Sequence, residues 1–247
     1  MSQTPANKFI AAIVIVTAPF AMGAFFLAWS PAAHYANTNP EYDGYVQPRN
    51  LEALVENTQK STVTVICKAG KDSISQGTAW AIDLKNGMGK KYPTTLITNH
   101  HVIEECIPAG GTLKVNELYK KGVPATIVKW DKKNDLAVLA TGLKLKTLEL
   151  SDAPPWPGYW VMAYGSASGY EGSVAYGSVL NLLVDEVLMT ANVSGGNSGG
   201  PLVDNEGRVI GTVSWNSRRD QFNGAMSLDA MCRKIIDCDG KEYWETE

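Results

Sequence analysis

The sequence predicts an all-β fold, built either as a sandwich or as paired barrels. Three observations support this. About a dozen short apolar runs between residues 61 and 229 are separated by Gly, Pro, Asn and Asp. The chain contains 23 glycines and 12 prolines, which suit a fold with many turns. Its 247 residues are enough for one large β-domain or two small ones with an ample core.

A short amphipathic helix is expected before the strands, with Asn50 as its N-cap and Leu51, Leu54 and Val55 on one face. The strand-like runs follow in chain order and show no internal repeat. They are STVTVIC from Ser61, GTAWAIDL from Gly77, TTLITN from Thr94, ATIVKWD from Ala125, DLAVLAT from Asp135, YWVMAYG from Tyr159, SVAYGSVLNLL from Ser173, DEVLMTA from Asp185, PLVDN from Pro201, RVIGTVSW from Arg208 and GAMSLD from Gly224. Asn86-Gly87 and residues 205–207 supply turn residues between runs. The segment from Asp229 predicts a closing helix.

The N-terminal part predicts a membrane segment. From Phe9 to Ala33 no side chain is ionisable, and about 20 such residues in a helix span the roughly 30 Å hydrocarbon layer. The run exceeds a usual signal-peptide core and lacks a clean A-x-A cleavage site. We therefore predict an uncleaved signal anchor over residues 9–30, with secretion after signal cleavage as the alternative. Lys8 is the only basic residue near the run, which predicts a cytoplasmic N-terminus (residues 1–8) and an external remainder.

Residues 31–50 are rich in Pro, Asn and Tyr and have no apolar period, which predicts an extended linker before a domain over residues 51–247. The formal net charge of −3 and the isoelectric point near 5.7 give no electrostatic sign of nucleic-acid binding. No C-x-x-C pair occurs among the four cysteines, so the sequence indicates no metal site and no cofactor. Their even number suits two disulfides outside the cytoplasm, with buried free thiols as the alternative.

Three polar residues adjoin separate apolar runs, and their types match acyl-transfer chemistry. A nucleophilic serine needs a base within hydrogen-bond reach and a third group that orients the base. TLITNHHVIEEC contains the adjacent His100 and His101, WDKKNDLAVLA contains Asp135, and GGNSGGPL contains Ser198. The chain order His, Asp, Ser is one of the known orders for such a triad. Alone, the Gly-rich segment around Ser198 would indicate only a structural turn.

These segments resemble the chymotrypsin-fold serine proteases, in particular the HtrA (high-temperature-requirement) type. TNHHV is similar to that group's T-N-x-H-V, NDLAVL to its D-L-A-V-L, and GGNSGGPLVDNEGRVIGTVS to its nucleophile segment and the hairpin that follows. The resemblance covers about residues 51–237. It implies two six-stranded antiparallel β-barrels, over about residues 51–145 and 146–247, with a short C-terminal helix.

The resemblance also implies roles for individual residues. His101, directly before Val102, would be the base, with His100 as the rival. Asp135 would orient the imidazole of His101 and stabilise its protonated form. Asp131 is the other nearby carboxylate, but the D-L-A-V-L pattern does not follow it.

Around Ser198, the resemblance assigns the backbone N–H groups of Gly196 and Ser198 to an oxyanion hole. Asn197 lies where chymotrypsin has an aspartate that pairs with the new N-terminus after zymogen cleavage, which implies that this chain needs no such cleavage. Val213, Ser214 and Trp215 match the strand edge that pairs with the substrate backbone. Asn192, six residues before Ser198, would lie near the floor of the specificity pocket, and the absence of an acidic residue there disfavours selection of Lys or Arg.

Two departures from the family pattern bear on function. About 20 residues follow GAMSLD, too few for a PDZ domain. The cysteines are unusual. Of the three connectivities that four cysteines allow, we expect Cys67 with Cys106, bracing the loop of the base, and Cys232 with Cys238 around the C-terminal helix.

The sequence thus predicts a membrane-anchored serine endopeptidase that acts on polypeptides in the periplasm or outside the cell. The alternative from another class is a catalytically silent, protease-like peptide-binding module. Relatives of the HtrA type are often trimers, but the sequence shows no readable oligomer interface.

Overall fold

The computed structural model describes residues 44–70, 73–84, 93–108, 110–217 and 219–238. The predicted signal anchor, most of the linker and the Asn86-Gly87 turn lie outside these residues. Within the described residues, no helix is both long enough and apolar enough to cross a membrane.

Twelve strands make up most of the described chain. They are β1 (Thr62–Ala69), β2 (Ser73–Ile82), β3 (Thr94–Thr98), β4 (Thr112–Asn116), β5 (Val123–Asp131), β6 (Leu136–Thr141), β7 (Trp160–Gly165), β8 (Ser173–Leu182), β9 (Glu186–Met189), β10 (Pro201–Val203), β11 (Val209–Asn216) and β12 (Asn223–Ser227). Only β4 was missing from the strands predicted by the sequence. In its five residues only Leu113 and Val115 are apolar, which is too short an alternation to stand out from a loop.

The strands form two closed antiparallel barrels of six strands each, which confirms the predicted architecture. In the first barrel the strand order is β1-β2-β3-β6-β5-β4. In the second barrel it is β7-β8-β9-β12-β11-β10, the same topology repeated. The two halves share this topology although the sequence has no visible repeat.

Three short α-helices accompany the barrels among the described residues: α1 (Leu51–Lys60), α2 (His100–Ile103) and α3 (Leu228–Lys234). The described residues also include two 3₁₀ turns, Glu104–Cys106 directly after α2 and Ala167–Gly169 between β7 and β8. Asn50 caps α1 as predicted, since its side-chain oxygen accepts from the Ala53 N–H at 3.0 Å. The predicted closing helix is α3, which starts at Leu228, one residue earlier than expected, because Ser227 Oγ accepts from the Ala230 N–H.

The strands of the first barrel that adjoin the second barrel are buried on both faces. Along β6, Ala137 and Leu139 point into the first barrel, whereas Leu136 and Val138 pack into the cluster that continues into the second barrel. This follows from the two-residue period of side chains along a strand. The ends of such strands therefore lie where the two barrels meet.

Two disulfides are formed, and they have the predicted pairing. Cys67 on β1 is bonded to Cys106, just beyond α2, with a Cα–Cα distance of 5.8 Å. Cys232 on α3 is bonded to Cys238, with a Cα–Cα distance of 5.3 Å. The first bond fastens the segment that contains His101 to the wall of its own barrel.

Candidate active site

Strand register brings the predicted base and acid together. β3 and β6 are antiparallel neighbours, with Thr98 opposite Ala137. Residues just after the end of β3 therefore lie beside residues just before the start of β6. These residues are His101, in α2, and Asp135, in the turn that leads into β6.

The His101 ring contacts the Asp135 carboxylate directly. His101 Nδ1 lies 2.8 Å from Asp135 Oδ2 and 3.0 Å from Oδ1. The backbone N–H of His101 also donates to Oδ1, at 3.0 Å. His100, the rival base, is only 4% exposed, whereas 46% of the His101 side chain is exposed. Among the described residues, His101 Nε2 makes no hydrogen bond.

Asp135 receives a further hydrogen bond from the second barrel. Ser214 Oγ donates to Asp135 Oδ2 at 2.5 Å. Burial would raise the pKa of Asp135, but hydrogen bonds from the His101 ring, Ser214 and the His101 backbone outweigh it, so this pKa lies below its ordinary value. The carboxylate is thus held in its charged form, which favours a proton on His101 Nδ1.

Two residues that sequence reasoning did not assign to the site shape the backbone around Asp135. Asp131, considered only as a rival carboxylate, accepts from the backbone N–H groups of Lys133 and Asn134 at 2.9 and 3.1 Å and stabilises the turn. The turn ends at Asp135 itself, whose φ of 49° is in the left-handed region. Asn99, fully buried, donates from Nδ2 to the Asp135 carbonyl at 2.8 Å. The sequence signal that could have identified Asn99 was its position in the TNHHV motif, directly before the two histidines.

Ser198 lies in a Gly-rich turn between β9 and β10, and its hydroxyl faces the same group of residues. Ser198 Oγ donates to the Ser214 carbonyl at 3.3 Å. Among the described contacts there is no hydrogen bond between Ser198 Oγ and the His101 ring. The structure therefore joins the acid–base pair to the serine through Ser214, which contacts both.

The backbone of the nucleophile turn leaves two N–H groups unpaired. The Gly195 carbonyl accepts from the Ser168 N–H at 2.6 Å, and the Asn197 carbonyl accepts from the Gly200 N–H at 2.9 Å. Across a trans peptide the N–H points away from the carbonyl. The N–H groups of Gly196 and Ser198 therefore point away from these partners, and within the described chain neither donates a hydrogen bond.

Position 196 requires glycine. Its φ is 98°, and a Cβ there would lie 2.2 Å from the Ser166 carbonyl oxygen. The next residue, Asn197, is 4% exposed, and its side-chain Oδ1 has no hydrogen-bond partner among the described groups. The buried side chain at this position is therefore neutral and makes no ion pair.

The predicted substrate-binding residues lie in different environments. Val213 is 1% exposed, and its N–H and carbonyl are bonded to Gly200 and Gly199. Ser214 directs its side chain at Asp135, and Trp215 donates from Nε1 to Glu186 at 3.2 Å. Asn192 is exposed in the loop before Ser198.

The carbonyls on both sides of Asn192 are tied to the β11–β12 pair. Asn223 Nδ2 donates to the Ala191 carbonyl at 2.8 Å. Asn216 Nδ2 donates to the Val193 carbonyl at 3.3 Å. Both asparagines were missed by sequence reasoning, since neither belongs to a motif.

A separate cavity of about 220 Å³ lies between α1, the connection that joins the barrels and the β10–β11 turn. It is lined by residues such as Leu54, Lys146 and Arg208 and contains none of the predicted site residues. In the described part of the chain, no three His, Cys, Asp or Glu side chains are grouped as metal ligands would be.

Residues 77–211 match the family of the trypsin-like peptidase domain. The chain belongs to the trypsin-like peptidase family. The matched segment covers more than half of the sequence and includes His101, Asp135 and Ser198. This trypsin-like domain is therefore classed with the serine endopeptidases, which are hydrolases.

Similar sequences include proteases of the HtrA type. A probable periplasmic serine endoprotease, DegP-like, from Chlamydia trachomatis is 34% identical over 128 residues, which are 47% of this chain and 25% of that protein. Mouse serine protease HTRA3 is 36% identical over 133 residues, or 47% of this chain and 29% of that protein. The anti-sigma-I factor RsgI9 of Acetivibrio thermocellus is 26% identical over 198 residues, or 77% of this chain and 26% of that protein. The chain thus spans about a quarter of the length of these relatives.

Solved structures share the fold. The active form of the Rv3671c protease from M. tuberculosis superposes with a TM-score of 0.65 at 22% identity, over 77% of this chain and 87% of that one. A serine endoprotease from Yersinia pestis superposes with a TM-score of 0.64 at 21% identity, over 76% of this chain and 66% of that one. At these identities the likeness establishes the fold.

Proposed function

We propose that this chain hydrolyses peptide bonds with Ser198 as nucleophile, His101 as general base and acid, and Asp135 as the group that orients His101. The observation that carries the proposal is the contact between His101 Nδ1 and the Asp135 carboxylate at 2.8 Å, beside the turn that contains Ser198. Few structural roles call for a half-exposed histidine paired with a carboxylate in its charged form.

The proton transfers follow from which ring nitrogen is occupied. Because Asp135 accepts from Nδ1, the neutral imidazole carries its proton there, and Nε2 keeps a lone pair. Ser198 Oγ bonds to the substrate carbonyl carbon as its proton passes to Nε2. Nε2 then returns that proton to the leaving amine as the C–N bond breaks. Water repeats the sequence on the acyl ester and releases the acid.

The proposed first step requires the Ser198 hydroxyl to turn from the Ser214 carbonyl to His101. The Ser198 hydroxyl donates to the Ser214 carbonyl at 3.3 Å, a long and weak hydrogen bond. Rotation about the Cα–Cβ bond would redirect the hydroxyl toward His101 Nε2. Such catalytic hydrogen bonds are often long or poorly aligned until substrate binds.

The unpaired N–H groups of Gly196 and Ser198 form the proposed oxyanion hole. In the tetrahedral intermediate the former carbonyl oxygen becomes negative and needs donors that are already in place. Both groups lie beside the nucleophile, and their orientation is fixed by the hydrogen-bonded carbonyls of Gly195 and Asn197. They have no competing acceptor among the described residues.

For substrate binding we propose the edge of β11 from Ser214 to Asn216. We do not include Val213, which the sequence analysis placed on this edge, because its N–H and carbonyl are already bonded to Gly200 and Gly199. β10 pairs with β11 only as far as Thr212, and no other described strand covers the edge beyond Val213 on that side. An extended peptide could add there as a strand. Asn192 keeps its proposed place near the pocket floor.

We place the domain outside the cytoplasm, anchored by residues 9–30. Support comes from the two disulfides, which persist mainly in oxidising compartments. The Chlamydia relative is named as a periplasmic protease. The test is carbonate washing of membranes: the intact chain stays in the membrane if it is anchored, and a shortened, released product would indicate signal cleavage.

Cleavage of unfolded casein by the full-length chain tests the proposed activity, with Ser198→Ala as the inactive control. We expect fragments from the wild type and none from the variant. The alternative, a silent peptide-binding module, predicts binding of casein by both proteins and cleavage by neither. Equal cleavage by both would assign the activity to a contaminant.

A further inference from the structure

A threonine of the first barrel makes hydrogen bonds to the nucleophile turn of the second. Thr78 on β2 is fully buried. Its N–H donates to the Ser198 carbonyl at 2.8 Å, and its Oγ1 donates to the Gly196 carbonyl at 2.7 Å. Oγ1 also accepts from the Ser166 N–H at 3.1 Å.

These contacts complete a set that fixes the whole turn. Of the four successive carbonyls from Gly195 to Ser198, the first and third are held by backbone N–H groups of the second barrel. The second and fourth are held by Thr78 alone. The two unpaired N–H groups proposed as the oxyanion hole lie in peptide units that alternate with those bonded to Thr78.

The hydroxyl of Thr78 matters because the two glycines of the turn restrain its backbone only weakly. Gly195 and Gly196 lack Cβ atoms, so the peptide planes on either side of Gly196 can turn at low cost. A hydroxyl has one hydrogen, which here points to the Gly196 carbonyl while a lone pair receives the Ser166 N–H. Its loss would leave the Gly196–Asn197 plane held only by the Asn197 N–H, which donates to the Ser194 carbonyl at 3.1 Å, and would loosen the backbone that sets the Gly196 and Ser198 N–H groups relative to each other.

The turn that contains Ser198 also packs closely against Thr78. A Cβ on Gly199 would lie 2.1 Å from the Thr78 carbonyl oxygen, and a Cβ on Gly200 would lie 3.3 Å from Thr78 Cγ2. Thr98 on β3 of the same barrel is also fully buried, and its Oγ1 donates to the Thr78 carbonyl at 2.6 Å. Thr78 is thus fixed on its own barrel while it holds the turn of the other.

We propose that Thr78 is a positioning residue that holds the oxyanion hole open across the barrel interface. The inference rests on the proposed function, since it assigns a task to Thr78 only if Gly196 and Ser198 stabilise an oxyanion. It also explains how a turn with a neutral Asn197 can be ordered without an ion pair at that position: Thr78 supplies two of the four hydrogen bonds to the carbonyls of the turn.

The test compares full-length wild type, Thr78→Val, Thr78→Ser and a matched control. Valine has nearly the same shape but no hydroxyl, and serine keeps the hydroxyl. Thr94→Val is the control, because buried Thr94 Oγ1 also donates to a carbonyl, that of Leu143, and accepts an N–H, that of Leu145, away from the site. The measurements are kcat and KM on a peptide substrate and the inhibition constant of a peptide boronate, which forms a tetrahedral adduct.

We expect Thr78→Val to lower kcat by about 10- to 100-fold, less than the ~10²–10³-fold typical of losing a donor outright, with KM nearly unchanged. Boronate binding should weaken by a similar factor. Thr78→Ser should restore most of the rate, and Thr94→Val should match wild type. Should Thr78→Val not fold, Thr78→Ala, which adds no bulk, provides the same comparison.

Two results would overturn the proposal, and they differ. If the wild type cleaves peptide but Thr78→Val retains the kcat and boronate affinity of Thr94→Val, the assignment of Thr78 is wrong while the proposed function stands. If the wild type neither cleaves peptide nor binds the boronate, the proposed function fails and the role of Thr78 fails with it.

Discussion

The connection between the third and fourth strands carries the key residue in each barrel, but the two connections are built differently. In the first barrel the β3–β4 connection contains His101, within a helical turn fastened by the Cys67–Cys106 disulfide. In the second barrel the β9–β10 connection contains Ser198, within a Gly-rich turn held by backbone hydrogen bonds and by one hydrogen bond from the Thr78 side chain. One segment is fixed covalently and the other is fixed by its neighbours.

The two segments serve two different requirements of the proposed reaction, proton transfer and stabilisation of the oxyanion. Both members of the acid–base pair belong to one barrel, since the β3–β6 register and Asn99 bring His101 and Asp135 together, and the second barrel adds one hydrogen bond from Ser214 to Asp135. The nucleophile turn depends on both barrels, because Thr78 and Ser168 hold its carbonyls from opposite sides. We therefore expect damage to the first barrel's pair to abolish proton transfer, and damage to the turn to reduce stabilisation of the oxyanion.

The largest effect should come from the pair of the first barrel. Asp135→Asn should lower kcat by about 10⁴-fold, because an amide no longer holds the imidazole in the right tautomer. The matched control is Asp131→Asn, which weakens the preceding turn but leaves the His101 contact in place. Peptide hydrolysis under identical conditions measures both. A comparable loss in the two variants would show that turn stability, not the tautomer, limits the rate.

A smaller effect is expected from the turn of the second barrel. Gly196→Ala should lower kcat by roughly 10²–10³-fold, since its Cβ would meet the Ser166 carbonyl at 2.2 Å and displace an oxyanion donor. Gly195→Ala is the control, because a Cβ there meets nothing within 4 Å. Steady-state kinetics would compare the two, and an inactive Gly195→Ala would contradict this account of the turn.

The two disulfides should differ in their effect on stability. Cys67 and Cys106 are 39 residues apart, whereas Cys232 and Cys238 are 6 apart. Loop-closure entropy then gives about 4 kcal/mol for the first bond and about 2 kcal/mol for the second. Urea unfolding of the two double Cys→Ala variants measures the losses. A larger loss of unfolding free energy on removal of Cys232–Cys238 than on removal of Cys67–Cys106 would contradict the view that the Cys67–Cys106 bond is the main covalent restraint.

The smallest effect concerns pH. Hydrogen bonds from His101 and Ser214 lower the pKa of Asp135 in the folded chain. The carboxylate therefore stabilises the fold above its unfolded pKa, about 3.9, and this contribution is lost as pH falls through the lower folded pKa. Urea unfolding should show that the stability difference between wild type and Asp135→Asn narrows from pH 6 to pH 3. A constant difference would contradict the assigned cause.

Sequence reasoning predicted the strands and the polar residues at their ends because both leave local signals, whereas the two-barrel arrangement and the roles of His101 and Asp135 were implied by the family resemblance. Alternating apolar runs and Gly or Asn turns mark strands, and TNHHV and NDLAVL place polar residues at strand ends. The structure confirmed the predicted asparagine cap of α1 and both expected disulfide pairings.

What the sequence could not predict depends on contacts between distant segments. Thr78 and Ser198 are 120 positions apart, and nothing in GTAWAI distinguishes Thr78 from an ordinary strand threonine. Ser214 was predicted to bind substrate, yet its side chain donates to Asp135. Only strand register and the packing of one barrel on the other reveal these partners.

Covalent labelling with a serine-directed phosphonate tests the central claim most directly. The account predicts one adduct, found by mass spectrometry on Ser198, in the wild type. It predicts none in Ser198→Ala, and labelling slowed by several orders of magnitude in His101→Ala, since these residues act as a unit. An unlabelled wild type, or an adduct on a different serine, would contradict the claim that Ser198 is activated by His101.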